Sequence, residues 1–117
     1  MTTPYTLPDE TRILAVTLRV ADLDRALGFY ADALGLTAQI GADGAALSAD
    51  AGPAIVRLVE DRTAVPRPAR PTGLYHHAIR FPSRAALATV LRRLIERRTR
   101  FQGFSDHGVS EAIYLAD

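Results

Sequence analysis

The same local pattern occurs twice in this chain, 61 residues apart, and that repeat restricts the fold more than any other feature. Ile13 to Val20 alternates, with Leu14, Val16, Leu18 and Val20 on one face and Ala15, Thr17 and Arg19 on the other. Period two over this length is a strand signal. Leu74 to Phe81 is the second strand-like run. At the offset of 61, Leu18-Arg19-Val20 falls on Ile79-Arg80-Phe81, and the helix cap Asp22 falls on the cap Ser83. The repeat predicts two copies of one βαβββ unit. At 117 residues the two copies share a single domain, because two independent cores need more chain.

The elements within each unit follow from local chemistry. A side-chain oxygen at Asp22 can accept the free N–H groups of a first helical turn. Leu23, Ala26, Leu27, Tyr30 and Leu34 then form one stripe at helical spacing, and Gly35 closes it as a left-handed cap. Leu36 to Ile40 and Ala45 to Ser48 read as strands around the turn Gly41-Ala42-Asp43-Gly44. Asp50-Ala51-Gly52-Pro53 turns the chain into a further strand, Ala54 to Glu60. Pro66, Pro68 and Pro71, with Arg62, Arg67 and Arg70 around them, make residues 61–72 an extended connector. In the second unit Ser83 caps a helix with the stripe Leu87, Val90, Leu91, Leu94 and Ile95. Phe101 to Phe104 reads as a strand, Ser105 to Gly108 as a loop and Ser110 to Ala116 as a final strand.

The expected fold is therefore α+β. Tandem βαβββ modules, about 12–60 and 73–117, form a curved mixed sheet around a cleft, the second module lacking its final strand. The free edge beside Ser110 to Ala116 invites pairing, so a homodimer built by edge pairing or unit exchange is expected.

Composition excludes several classes. There is no cysteine, hence no disulfide, thiolate metal site or cysteine nucleophile; any metal must be held by His, Asp, Glu or water. No apolar run approaches the ~18–20 residues that cross a bilayer. Residues 1–12 carry Asp9 and Glu10 and lack a basic start before an apolar stretch, so they do not read as a signal peptide. A cytoplasmic protein with no membrane partner is expected. The net charge is +1, and all 14 basic residues are arginine. The arginine-rich run Arg84 to Arg100 reads as a solvated helix face. A nucleic-acid contact there would show steep salt dependence, and the near-neutral balance opposes it.

The chemistry-bearing residues concentrate in the second unit. His76 lies at the repeat position of Ala15. A neutral imidazole on a rigid strand is a good ligand for a divalent metal. His77 alternates to the opposite face, where it packs under the helix or reaches solvent. Arg57 and Arg80, on strands, would draw an anionic ligand if they faced the cleft. Glu60 reads as a solvated strand end.

Two stretches carry a family resemblance. The segment Val20-Ala21-Asp22-Leu23-Asp24-Arg25-Ala26-Leu27-Gly28-Phe29-Tyr30, followed by Leu34-Gly35-Leu36, looks like the opening of the vicinal oxygen chelate superfamily. That superfamily comprises glyoxalases, extradiol dioxygenases and bleomycin-resistance-type proteins. Thr72-Gly73-Leu74-Tyr75-His76-His77-Ala78-Ile79, with the later run from Ser105 to Asp117, resembles the N-terminal domain of catechol 2,3-dioxygenase-like proteins. The resemblance implies a catechol-like aromatic substrate and a divalent metal, Fe(II) or Mn(II). It implies His76 as a metal ligand, His107 as the residue that moves protons and Tyr114 as a donor to a substrate oxygen. Glu111 belongs to the same signature. The chain departs from the pattern at Ala15, where relatives often carry His or Glu, and it stops at Asp117, where the turn before the family's carboxylate-bearing strand would begin. Those departures favour a second reading: a metal-free small-molecule-binding or self-associating module of the bleomycin-resistance type.

Overall fold

Alternation in the first unit becomes a four-stranded mixed sheet. The computed structural model describes residues 4–65, 68, 73–74 and 76–116. Strands β1 (Val16–Val20), β2 (Thr37–Ile40), β3 (Gly44–Ser48) and β4 (Ala54–Glu60) lie in the order β1-β4-β3-β2. β4 runs parallel to β1, with Val16 opposite Val56, and antiparallel to β3, with Leu47 opposite Val56. One face of the sheet is buried: Leu47, Val56 and Leu58 are 0%, 1% and 2% exposed. Thr17, Arg19, Arg57 and Val59 lie on the open face. At the β3–β4 crossing the backbones approach so closely that a Cβ on Gly44 would run into the Leu58 carbonyl.

The first helix starts where its cap predicts. Asp22 accepts the Arg25 N–H at 3.0 Å, and α1 spans Leu23–Leu27. The helix does not continue with one regular stripe. Residues Gly28–Ala33 widen into a π-helical turn, in which the Leu34 N–H reaches back to the Phe29 carbonyl at 3.0 Å. The wider turn places Tyr30 and Ala33 in two different core clusters. Gly35 then turns the chain at φ 82° and donates to the Ala31 carbonyl.

A second carboxylate fastens this helix to the sheet. Glu60, expected as a solvated strand end, accepts the Leu23 N–H at 2.8 Å and pairs with Arg62 at 3.0 Å. It satisfies one of the donors that every helix leaves free at its start. The Leu23 N–H, and secondarily Arg62, hold the Glu60 carboxyl below the ordinary carboxylate range.

The second unit departs from its expected strand. Leu74 and residues 76–81 belong to no sheet among the described residues, although their alternation persists: His77, Ile79 and Phe81 are half-buried, and His76, Ala78 and Arg80 are exposed. In the first unit β1 is held by β4 alone; no described strand stands in that place here. Half of the expected connector, including Pro66, Arg67, Arg70, Pro71 and Thr72, lies outside the described residues, as do Tyr75 and Asp117.

Helix α2 (Arg84–Glu96) begins at Ser83, whose hydroxyl accepts the Ala86 N–H at 3.1 Å. Val90 and Leu94 are buried against Ala33, with Phe81, Phe101 and Leu115 packed around them. Ile95, expected in the stripe, is 58% exposed, because the seam runs through Val90 and Leu94. The last hairpin pairs β5 (Phe101–Asp106) with β6 (Glu111–Leu115). Ser105 and Asp106, expected in a loop, belong to the strand. The turn is tighter than the sequence suggests: Asp106 accepts the Gly108 N–H, His107 donates its backbone N–H to Ser110, and Gly108 takes φ 77°.

Three outcomes follow from these contacts. Gly44→Ala should cost about 2–4 kcal/mol in denaturant unfolding, since only backbone can give way there. Gly28→Ala, with nothing within 4 Å of the added atom, should be neutral or stabilising by up to ~1 kcal/mol. For Glu60, a folded-state pKa depressed below its ordinary 4.5 stabilises the fold above that value and loses the effect as pH falls through the folded pKa. The stability gap between the native chain and Glu60→Gln should be full above about pH 5 and close in acid, as read from unfolding curves across pH.

Candidate active site

The elements of the second unit and the first helix enclose an open cleft of about 1970 Å³. Its apolar lining comes from Leu34 at the end of the first helix and from Leu87, Val90 and Leu94 of α2. Its polar groups include His76, His77, Arg80, Asp106, Glu111 and Tyr114. The volume exceeds the ~300–1,000 Å³ of a usual small-ligand pocket.

The two adjacent histidines separate as strand alternation requires. His76 is exposed on the cleft. His77 turns inward and meets Tyr30: its Nε2 lies 3.2 Å from the Tyr30 hydroxyl, and the rings stack with centroids 6.1 Å apart. Tyr30 is 2% exposed and also makes an edge contact with Phe29 at 5.0 Å. This pair anchors the histidine-bearing segment to the first helix, together with Ile79 against the first core cluster and Phe81 against the second. Sequence reasoning placed Tyr30 only in an aliphatic stripe. The available signal was a hydroxyl on a buried face, which needs a polar partner.

The other expected residues spread along the cleft. Tyr114 lines it from β6, 44% exposed. His107 sits exposed on the β5–β6 turn, between the lining residues Asp106 and Gly108. Glu111, for which the sequence offers no role, pairs with Arg84 at 2.8 Å and joins the start of β6 to the start of α2. The Arg84 guanidinium is driven further toward its charged form by that carboxylate. Arg80 reaches the cleft; Arg57 stands on the open face of the four-stranded sheet, apart from the residues that line it.

A metal needs convergent donors, and the described residues do not provide a full set. His76 offers one imidazole. Its repeat counterpart Ala15 has no donor atom. Among the described residues no three His, Asp or Glu side chains come together in metal-binding geometry. These residues by themselves do not fit a complete three-ligand site.

Residues 12–117 match the model of the Glyoxalase/Bleomycin resistance protein/Dioxygenase superfamily. The chain belongs to this superfamily. It is 40% identical over 111 residues to a catechol-2,3-dioxygenase of Bacillus subtilis (strain 168), covering 93% of this chain and 39% of that protein. The chain thus spans about two fifths of that relative's length. The crystal structure of a lactoylglutathione lyase from Agrobacterium tumefaciens superposes with TM-score 0.63 at 18% identity, covering 94% of this chain and 88% of that one. An integron cassette protein from the mobile metagenome of V. Cholerae superposes with TM-score 0.58 at 16% identity, covering 92% and 86%. At these identities the two structures show the fold alone, and it is the α+β glyoxalase fold that the repeat predicts. Among the described residues no helix is long and apolar enough to cross a membrane.

The Tyr30–His77 contact makes a measurable contribution. Tyr30→Phe keeps the packing and removes the hydroxyl, so it should cost about 1 kcal/mol in urea unfolding. An unchanged midpoint would show that the hydrogen bond does not hold the segment.

Proposed function

We infer that this chain handles a catechol-like aromatic ligand in the cleft, as a module of an extradiol-dioxygenase-like protein that works with a divalent metal, Fe(II) or Mn(II). The observation that carries this reading is the 40% identity to a catechol-2,3-dioxygenase across 93% of the chain. The cleft chemistry supports it. An apolar wall suits an aromatic ring, and Tyr114, which lines the same cleft, carries a hydroxyl that can orient a ring oxygen. His76 supplies one neutral donor, and the remaining ligands would come from outside the described residues. When bound, the metal would supply Lewis-acid and oxygen chemistry. His107, exposed at the edge of the cleft on a tight turn, is placed to take up and return a proton there. Arg80 at the cleft attracts an anionic ligand such as a catecholate.

The second reading is metal-free binding of a small aromatic or other small molecule by the same cleft. Ala15 and the incomplete ligand set among the described residues favour it. A homodimer is compatible with both readings, as are a cytoplasmic location and the absence of nucleic-acid partners.

Calorimetric titration separates the two. Under the metal-dependent reading the chain binds Mn(II), His76→Ala weakens that binding by at least ~tenfold, and catechol affinity falls when chelator is added. Tyr114→Phe should weaken catechol binding by roughly two- to tenfold, the worth of one hydrogen bond. Catechol affinity that ignores both chelator and His76→Ala would leave the metal-free reading standing.

A further inference from the structure

The open face of the four-stranded sheet carries a polar row that the cleft does not use. The strand register sets Thr17, Arg57, Ala46 and Gln39 side by side across β1, β4, β3 and β2. Strand alternation puts all four on the side away from buried Leu47, Val56 and Leu58. In the next row Thr37 stands opposite Ser48. Thr37, Gln39 and Ser48, together with the small residues Ala46, Gly52 and Ala54, line a hollow of about 330 Å³. That volume falls within the ~300–1,000 Å³ of a usual small-ligand pocket. None of these residues lines the larger cleft.

Arg57 gives this face one uncompensated charge. It is exposed, and among the described residues it makes no hydrogen bond or ion pair. Arg19, on the same face, is instead turned to Asp61 at 3.8 Å. The single acid within the four strands, Glu60, is taken by the Leu23 N–H and Arg62. Asp43 and Asp50 lie in the turns at the two ends of β3. One free guanidinium matches one carboxylate, which its planar fork can hold through two parallel hydrogen bonds. Ala46 stands between Arg57 and Gln39 and leaves the space above it open. Two strand spacings, roughly 10 Å, separate the outer members of that row. A ligand held at both ends therefore needs several atoms beyond its carboxylate, and that body meets two hydroxyls and an amide. We propose that this face binds a small polyhydroxylated monocarboxylate, with its carboxylate on Arg57 and its hydroxyl-bearing chain over Ala46 against Gln39, Thr37 and Ser48. The inference goes beyond the catechol reading, since it uses a separate set of residues and no metal.

The test titrates gluconate into the 117-residue chain in metal-free buffer and follows the NMR signals of the backbone amides and of the arginine Nε groups. The expected result is a saturable shift at Arg57 and at residues 37, 39 and 46, with His76 and Tyr114 unmoved and a Kd in the millimolar range. Arg57→Gln should weaken binding by roughly tenfold, the worth of a charge-assisted contact. Arg57 is exposed, so the unfolding midpoint of that variant should match the native one. Arg25→Gln, which removes the same charge from the exposed side of the first helix, should leave binding as it is. Propionate, with a carboxylate and no hydroxyls, should bind about threefold more weakly or worse. Four results would overturn the proposal. They are no saturable shift up to roughly 50 mM gluconate, equal losses in Arg57→Gln and Arg25→Gln, propionate binding as tightly as gluconate, and inorganic phosphate binding more tightly than either at the same residues.

Discussion

A strand inside a sheet has to satisfy backbone donors and acceptors along both of its edges, and in this molecule β4 does so for the whole first unit. It is the only described strand to touch both β1 and β3. It also delivers two of the most deeply buried side chains, Val56 and Leu58, and ends in the carboxylate that receives the Leu23 N–H. Remove it and β1 loses its sheet, the core loses its centre and the first helix loses one of its two acidic caps. Among the described residues the second unit has no strand in the corresponding place. Residues 76–81 keep the in–out alternation of β1 but join no sheet among the described residues; side-chain contacts tie them to the rest, His77 on Tyr30, Ile79 on the first cluster and Phe81 on the second. Pattern sets which way the side chains face. Hydrogen-bond partners decide whether the segment is a strand.

That difference explains which parts of the fold were legible in the sequence. Asp22 and Ser83 act locally, within three residues, so both caps are found where the sequence places them. β4 runs from Ala54 to Glu60 as its composition indicates. Most of the misplaced features depend on contacts beyond the local pattern. The strand state of 74–81 requires a neighbour. The burial of Ile95 depends on the angle at which α2 meets the first helix. The extension of β5 to Asp106 depends on how the hairpin closes around Gly108. The widening at Gly28–Ala33 has no local signature beyond a glycine at its start.

The site was legible in a similar, partial way. Alternation alone separates exposed His76 from half-buried His77, although both line the cleft. It cannot reveal that His77 finds a tyrosine hydroxyl 47 residues away. Nor can it reveal that Glu60 and Glu111 are both drawn to helix starts, one through a backbone N–H and the other through the Arg84 side chain. Carboxylates are attracted to that end of a helix, and in both units acidic side chains on strands tie the sheet to the helix. The acids that a sequence reader would offer to a metal are thus partly committed to holding the framework.

The π-helical turn has a consequence for how the molecule comes apart. Tyr30 and Ala33 lie on one widened turn, yet one belongs to the cluster under the four-stranded sheet and the other to the cluster under α2. A turn shared in this way gives the two repeats a common structural element instead of a mere interface. Local opening of either cluster disturbs the turn that also serves the other, so the duplicated halves are coupled through their first helix.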